Sequence, residues 1–183
     1  CPRTNIEILP KLPQNLTQLY INDNNLNELL SLPQSLIILD CSDNSELTAL
    51  PILNNKLEEL YCSSCSIIQL PELPQTLKIL GCSDNKINNL PNLPNSIEIL
   101  SIFDNNITEL PILPNNLTSL DVSLTKIETL DIFSYNIKTL ICGDEKLKAI
   151  SKLPDNLLNL SIQKCNIIPI FNHLLQLINN KGV

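Results

Sequence analysis

Seven cysteines, a single histidine and a recurring aspartate are the residues of this chain equipped for chemistry. Cys62 and Cys65 stand as C-S-S-C, the spacing of half a zinc site or of a dithiol redox pair. Asp23, Asp43, Asp84, Asp104 and Asp144 recur at near-constant intervals, and stacked carboxylates are the makings of a cation site or an electrostatic surface. His173 has no second histidine with which to build a ligand set and no serine or cysteine in register for a triad. P-loop, G-x-G-x-x-G and H-E-x-x-H patterns are absent, so no cofactor is implied.

The elements that must carry these residues are dictated by a repeat. Aligned on L-x-x-L-x-(C/I)-x-x-N-x-(L/I), successive units start at Leu16, Leu36, Leu57, Leu77, Ile97, Leu117, Ile137 and Leu157. The step is 20 residues except between Leu36 and Leu57, where Asn44–Leu47 carries one extra. Cys1, Ile6 and Leu9-Pro10 fit the tail of an earlier unit, which predicts a natural start further upstream. One unit offers about six apolar side chains to an interior, too few to offset the entropy of fixing twenty backbones. Neighbouring units must therefore cover one another, as in a solenoid.

L-x-x-L-x-L-x-x-N-x-L is the leucine-rich-repeat pattern, and the chain resembles that family over nearly its whole length. The resemblance implies a horseshoe solenoid with one short parallel strand per unit on the concave face. It also implies that Asn24, Asn44, Asn85 and Asn105 turn inward to bond the backbone of adjacent turns; Cys65, Thr125, Glu145 and Cys165 replace them elsewhere, Glu145 being a departure expected to loosen its rung. The connecting half reads L-P-x-L-P-x-x-L at Leu70–Leu77, Leu90–Ile97 and Leu110–Leu117 (with Ile at position 97). Prolines three apart forbid a helix and predict an extended or polyproline II back. Short LP-type units are similar to those of secreted bacterial effectors, including effector ubiquitin ligases, and of amoebal and giant-virus proteins. Those ligases keep their nucleophilic cysteine in a separate domain after the repeats, so no catalytic residue carries over to this chain. Residues 1–168 are read as the solenoid. The apolar spacing of Ile170, Phe171, Leu174, Leu175, Leu177 and Ile178 predicts a helical cap over 169–183, with a degenerate ninth repeat as the alternative.

The register then reinterprets the cysteines. Cys1, Cys41, Cys62, Cys82 and Cys142 share the inward strand position that Ile21, Ile102, Val122 and Ile162 fill elsewhere, while Cys65 and Cys165 share the asparagine position. At about 4.8 Å per rung, Cys65 and Cys165 lie roughly 24 Å apart, too far to share a metal. Buried reduced thiols are the expectation, which favours a cytoplasmic location; a disulfide between stacked Cys41, Cys62 and Cys82 is the alternative.

What remains for function is the concave face. Strand alternation puts Tyr20, Asp40, Tyr61, Gly81, Ser101, Asp121, Ile141 and Ser161 outward, followed by a column containing Phe103 and one containing the five recurring aspartates. Aspartate suits the turn where a strand ends and solubilises the face. The alternatives are a surface for a basic partner, with Tyr20, Tyr61 and Phe103 as aromatic anchors, or a calcium-bridged ridge. The net charge of −7, with 12 basic residues scattered among 19 acidic ones, points away from nucleic acid. No apolar run reaches the roughly 18 residues of a spanning helix, so no membrane is expected as a partner. The reading is a non-enzymatic protein-interaction scaffold. The alternative is the substrate-recognition part of an effector ubiquitin ligase.

Overall fold

The structure, a computed structural model, describes residues 5–132 and 136–163. Each turn of the chain begins where the second proline of the L-P-x-L-P unit stops the connecting half. The carbonyls of Pro13, Pro33, Pro74, Pro94, Pro114 and Pro154 each accept the N–H three residues on, at 3.0–3.2 Å, closing a β-turn. Asn54 occupies that slot in one unit and closes the same turn to Leu57. Its buried amide accepts from Lys56 N and donates to Pro33 O of the preceding unit.

A strand follows each turn: β1 (Gln18–Tyr20), β2 (Ile38–Asp40), β3 (Glu59–Tyr61), β4 (Ile79–Gly81), β5 (Ile99–Ser101), β6 (Ser119–Asp121), β8 (Thr139–Cys142) and β10 (Asn159–Ile162). They form one parallel sheet in the order β1-β2-β3-β4-β5-β6-β8-β10. The register is one unit on the next, with Leu19, Leu39, Leu60, Leu80, Leu100, Leu120, Leu140 and Leu160 opposite one another. The first seven of these leucines are buried while their strand neighbours, Gly81 excepted, point to solvent or are half covered, the period of two expected of a sheet with one buried face. The core continues inward through Leu26, Leu36, Leu47, Leu57, Ile67, Leu77, Ile87 and Ile97, all fully buried. The described residues contain no helix. The expected cap over 169–183 lies outside them.

Two further strands, β7 (Thr129–Asp131) and β9 (Ala149–Lys152), pair in parallel in the connecting halves. Their place follows from proline. The first proline of the unit is present at Pro10, Pro51, Pro71, Pro91 and Pro111, and is replaced by Leu30, Asp131 and Ser151. Proline has no N–H for a ladder. Leu30 stands alone between two proline-bearing neighbours, whereas Asp131 and Ser151 are adjacent units, so only there can two connecting halves bond each other. The extended back expected from the prolines thus becomes a second sheet where they are lost.

The rungs are tied together by buried amides. Asn105 Oδ1 accepts Ile87 N of the preceding turn at 3.0 Å, while its Nδ2 donates to Cys82 O at 3.0 Å and Ile102 O at 3.1 Å. Asn44 repeats this with Leu26 N, Ile21 O and Cys41 O, and Asn85 with Ile67 N, Cys62 O and Cys82 O. Asn24 accepts Ile6 N. The replacements do less. Cys65 Sγ lies 3.5 Å from Cys41 O and Ser63 O, and Thr125 Oγ1 donates to Val122 O of its own turn at 2.8 Å. Glu145 is exposed and takes no part in the ladder, as its charge demands.

Immediately before each ladder residue the chain is left-handed. Asp23, Asp43, Ser64, Asp84, Asp104 and Leu124 have φ of 57°, 57°, 52°, 51°, 53° and 51°. Their N–H groups continue the sheet ladder to the next turn, for example Asp84 N to Phe103 O at 2.7 Å. Aspartate tolerates this conformation better than most residues; a leucine pays the full Cβ penalty of about 1–2 kcal/mol. At the next turn the pattern breaks. Gly143 takes the positive φ, and a Cβ there would collide with the Gln163 backbone.

The described cysteines, Cys41, Cys62, Cys65, Cys82 and Cys142, are all buried, and Cys41, Cys62, Cys65 and Cys82 are free thiols. Desolvation pushes the Cys82 thiol up to about 12 and drives those of Cys41 and Cys62 well above the usual range, so the nucleophilic thiolate is suppressed at neutral pH.

Three outcomes are expected from these contacts. Asn105→Ala, which removes the side-chain partner of Ile87 N and of Ile102 O and one of the two amide donors to Cys82 O, lowers the unfolding free energy by about 2–4 kcal/mol in urea titration. Replacing Leu124 and Thr125 together by Asp and Asn, the pair found at other rungs, raises it by about 1–3 kcal/mol; no gain would show that the left-handed leucine carries no strain. In thiol labelling followed by peptide mapping, Cys41, Cys62, Cys82 and Cys142 stay unmodified in the native protein and react in urea.

Candidate functional site

The outward side of the eight-stranded sheet collects every residue that the sequence puts forward, but on unequal terms. Asp23, Asp43, Asp84 and Asp104 are exposed at the ends of their strands. Ser64 and Leu124 interrupt the series, so the acidic column is two adjacent pairs, Asp23–Asp43 and Asp84–Asp104, rather than an unbroken ridge. Asp144 does not extend it. Its backbone is not left-handed, its carboxylate accepts Lys146 N at 2.7 Å, and its carbonyl closes a turn to Leu147.

Asp40 and Asp121 sit two columns inward, across the serine column, and are half-buried. Each carboxylate folds onto the backbone two residues ahead, Asp40 Oδ1 to Ser42 N at 3.1 Å and Asp121 Oδ1 to Ser123 N at 3.0 Å, the latter also accepting Ser123 Oγ at 2.7 Å. Between the aspartate columns runs a hydroxyl series. Ser42 Oγ accepts Ser63 N, Ser63 Oγ accepts Ser83 N, and Ser83 Oγ pairs with Ser101 Oγ.

The aromatics differ from one another. Tyr20 is 59% exposed. Tyr61 lies against the next rung, where a Cβ on Gly81 would come within 3.3 Å of its Cδ1, and this ring is what covers Gly81. Its hydroxyl donates to Glu59 Oε2 at 3.0 Å. Burial first, and then that hydrogen bond, push the phenol up to about 12. Phe103 is half-buried, its carbonyl is taken by Asp84 N, and it lines a hollow with Asp121, Leu124 and Ile141.

The sequence reading missed one outward column, two residues before the tyrosine column. It reads Gln18, Ile38, Glu59, Ile79, Ile99, Ser119, Thr139 and Asn159. Ile79 opposes Ile99, and Glu59 bridges Ile38 and Ile79 in register. Ile99 is 40% exposed. The signal was available from strand alternation, but isoleucine beside an invariable inward leucine reads as core rather than as surface.

These outward columns contain no lysine or arginine among the described residues. Lys78, at the entrance to β4, is engaged across rungs with Glu58 at 2.6 Å, and Lys138 stands exposed at the equivalent place before β8; the Lys148–Glu128 pair, at 2.7 Å, belongs to the connecting halves, before β9 and β7. The face is therefore acidic at both aspartate columns and apolar along the isoleucines. Among the described residues no group of three or more His, Cys, Asp or Glu side chains converges as a metal site, so the aspartate column is not arranged as a cation cage. No helix among them is long and apolar enough to cross a membrane.

No family model and no curated protein sequence matches the chain. Solved structures do. YopM from Yersinia enterocolitica superposes with a TM-score of 0.83 at 35% identity, over 87% of this chain and 36% of that one. The leucine-rich-repeat domain of a Shigella effector superposes with a TM-score of 0.77 at 28% identity, over 92% of this chain and 78% of that one. The chain thus spans little more than a third of the length of YopM. One short parallel strand per turn of about 20 residues, shared over most of the chain with these two bacterial proteins, makes this a leucine-rich-repeat protein.

Proposed function

We propose that the chain is a non-enzymatic scaffold that binds a partner protein on the outward face of its sheet, and that the partner presents a basic surface studded with apolar groups. The observation that carries this reading is the composition of that face: carboxylates at Asp23, Asp40, Asp43, Glu59, Asp84, Asp104 and Asp121, half-buried Ile38 and Ile79 and exposed Ile99 beside them, and no described lysine or arginine in these columns. Complementary charge of this kind raises association rate and selects partners, while apolar and aromatic groups such as Tyr20, Ile79, Ile99 and Phe103 supply affinity. The likeness to a Shigella effector and to YopM supports protein binding as the task. Suppressed thiolates at Cys41, Cys62, Cys65 and Cys82 leave no activated nucleophile at those positions, and reduced thiols suit work in a cytosol, a host's where the chain acts as an effector.

A second reading is favoured by the Shigella likeness, which is to a repeat domain of an effector: the chain is the substrate-recognition part of an effector ubiquitin ligase. The reading frame beyond Val183 separates the two. A following domain with an essential cysteine supports the ligase, and an early stop codon refutes it.

The ridge is tested with a double substitution that keeps its backbone. Asparagine accepts the left-handed conformation, so Asp84→Asn with Asp104→Asn removes charge without strain. Partner captured by proximity labelling in the native host, then measured as a purified pair, is expected to bind this variant about tenfold more weakly at low salt and nearly equally at high salt. Equal binding at low salt shows that the ridge is not the site.

A further inference from the structure

At the sixth rung the face changes character. Leu124 stands where other rungs place aspartate, and Ile141 stands where rungs two and six place Asp40 and Asp121. Together with Phe103 they wall a cavity of about 190 Å³, with Asp121, Ser123, Gly143 and Gln163 completing it. That volume is below the roughly 300–1,000 Å³ of a site for a drug-sized ligand, and it suits one long side chain.

The charge of the cavity is fixed in place. Ser123 N–H and Oγ hold Asp121 Oδ1, and a carboxylate offers about four acceptor positions, so further donors can be taken. Among the described residues no lysine or arginine lines the cavity. An aromatic ring, two aliphatic walls and one oriented carboxylate ask for a guest with an apolar stem and a cationic planar head. We propose that this cavity is the socket for an arginine side chain of the partner protein, its guanidinium on Asp121 and against Phe103 and its stem between Leu124 and Ile141. Lysine fits the stem but offers neither the bidentate fork nor the stacking plane. The assignment rests on the protein-binding reading and deepens it.

The probe is N-acetyl-arginine N-methylamide, titrated to about 50 mM into the isotope-labelled protein, a range that covers the millimolar affinity of a single side chain. Backbone amide shifts are expected to centre on residues 103, 121–124 and 141–143. The citrulline analogue, equal in shape without the charge, binds about tenfold more weakly. Asp121→Asn brings arginine down to the citrulline level. Phe103→Leu weakens arginine about threefold and leaves the norleucine analogue unchanged, which serves where the Asp121 variant proves unstable. Equal binding of arginine and citrulline, or shifts of the same size at Asp23, Asp43, Asp84 and Asp104, or no localised shift, overturns the proposal. With the purified partner, weaker binding by Asp121→Asn supports the socket. Loss of binding by the Asp84/Asp104 variant with none by Asp121→Asn refutes the socket and leaves the scaffold reading standing.

Discussion

The architecture depends on one recurring event, the exit of the backbone from each strand. Within two residues the chain adopts a left-handed conformation and then buries an amide. The first step turns the chain without breaking the sheet ladder, because the left-handed residue still donates to the next turn, as Asp43 N does to Ser63 O at 2.8 Å. The second step leaves backbone carbonyls facing an apolar interior, where an unpaired polar group is costly. A buried Asn, with two donors and an acceptor on one planar group, satisfies its own turn and its neighbour at once, as Asn44 and Asn105 do. Neither Ser nor Thr has enough donors for that, and Glu brings a charge.

Where the exit degrades, the back of the solenoid changes too. Leu124-Thr125 and Asp144-Glu145 replace the Asp-Asn pair at the sixth and seventh rungs, and the connecting halves that follow them are those that form β7 and β9. A side-chain tie between turns is lost at the front and a backbone ladder between the same turns is gained behind. The exchange needs only the loss of two prolines at Asp131 and Ser151. Cohesion between neighbours is what a solenoid requires, and it is indifferent to which side supplies it.

Much of this was legible in the sequence because the period does the work of many independent signals. The strand positions, the inward leucines, the ladder asparagines and the packing of Cys41, Cys62, Cys82 and Cys142 as small core residues all follow from register alone. Aspartate at the strand end was read correctly as a turn-former, and the left-handed φ supplies the physical reason. Three features were not legible. The loss of proline at Asp131 and Ser151 permits a second sheet but does not announce one. Glycine at position 81 does not reveal that the ring of Tyr61 lies across it. Ile38, Ile79 and Ile99 face outward, yet in a chain dominated by Leu and Ile they look like core. Each miss concerns how one rung meets the next, and a repeat unit read singly carries no information about that.

The fixed rung spacing also limits what the face can read. Adjacent strands stand about 4.8 Å apart, whereas an extended peptide presents side chains on one face every 6.8 Å or so, and a helix gains about 5.4 Å per turn. Neither period stays in step with the rungs for long, so a partner cannot be matched residue to rung along the whole sheet. What several rungs can do is offer separate point contacts at positions chosen by the sequence. The alternation of the face fits that constraint: an acidic pair at Asp23–Asp43, the isoleucines with Tyr61 across the middle, a second pair at Asp84–Asp104, and then the walled carboxylate of Asp121. Because the inward residues alone hold the fold, these outward ones are free to differ from rung to rung. Specificity in such a molecule therefore resides in departures from the repeat, and the largest departure on this face is the leucine at position 124.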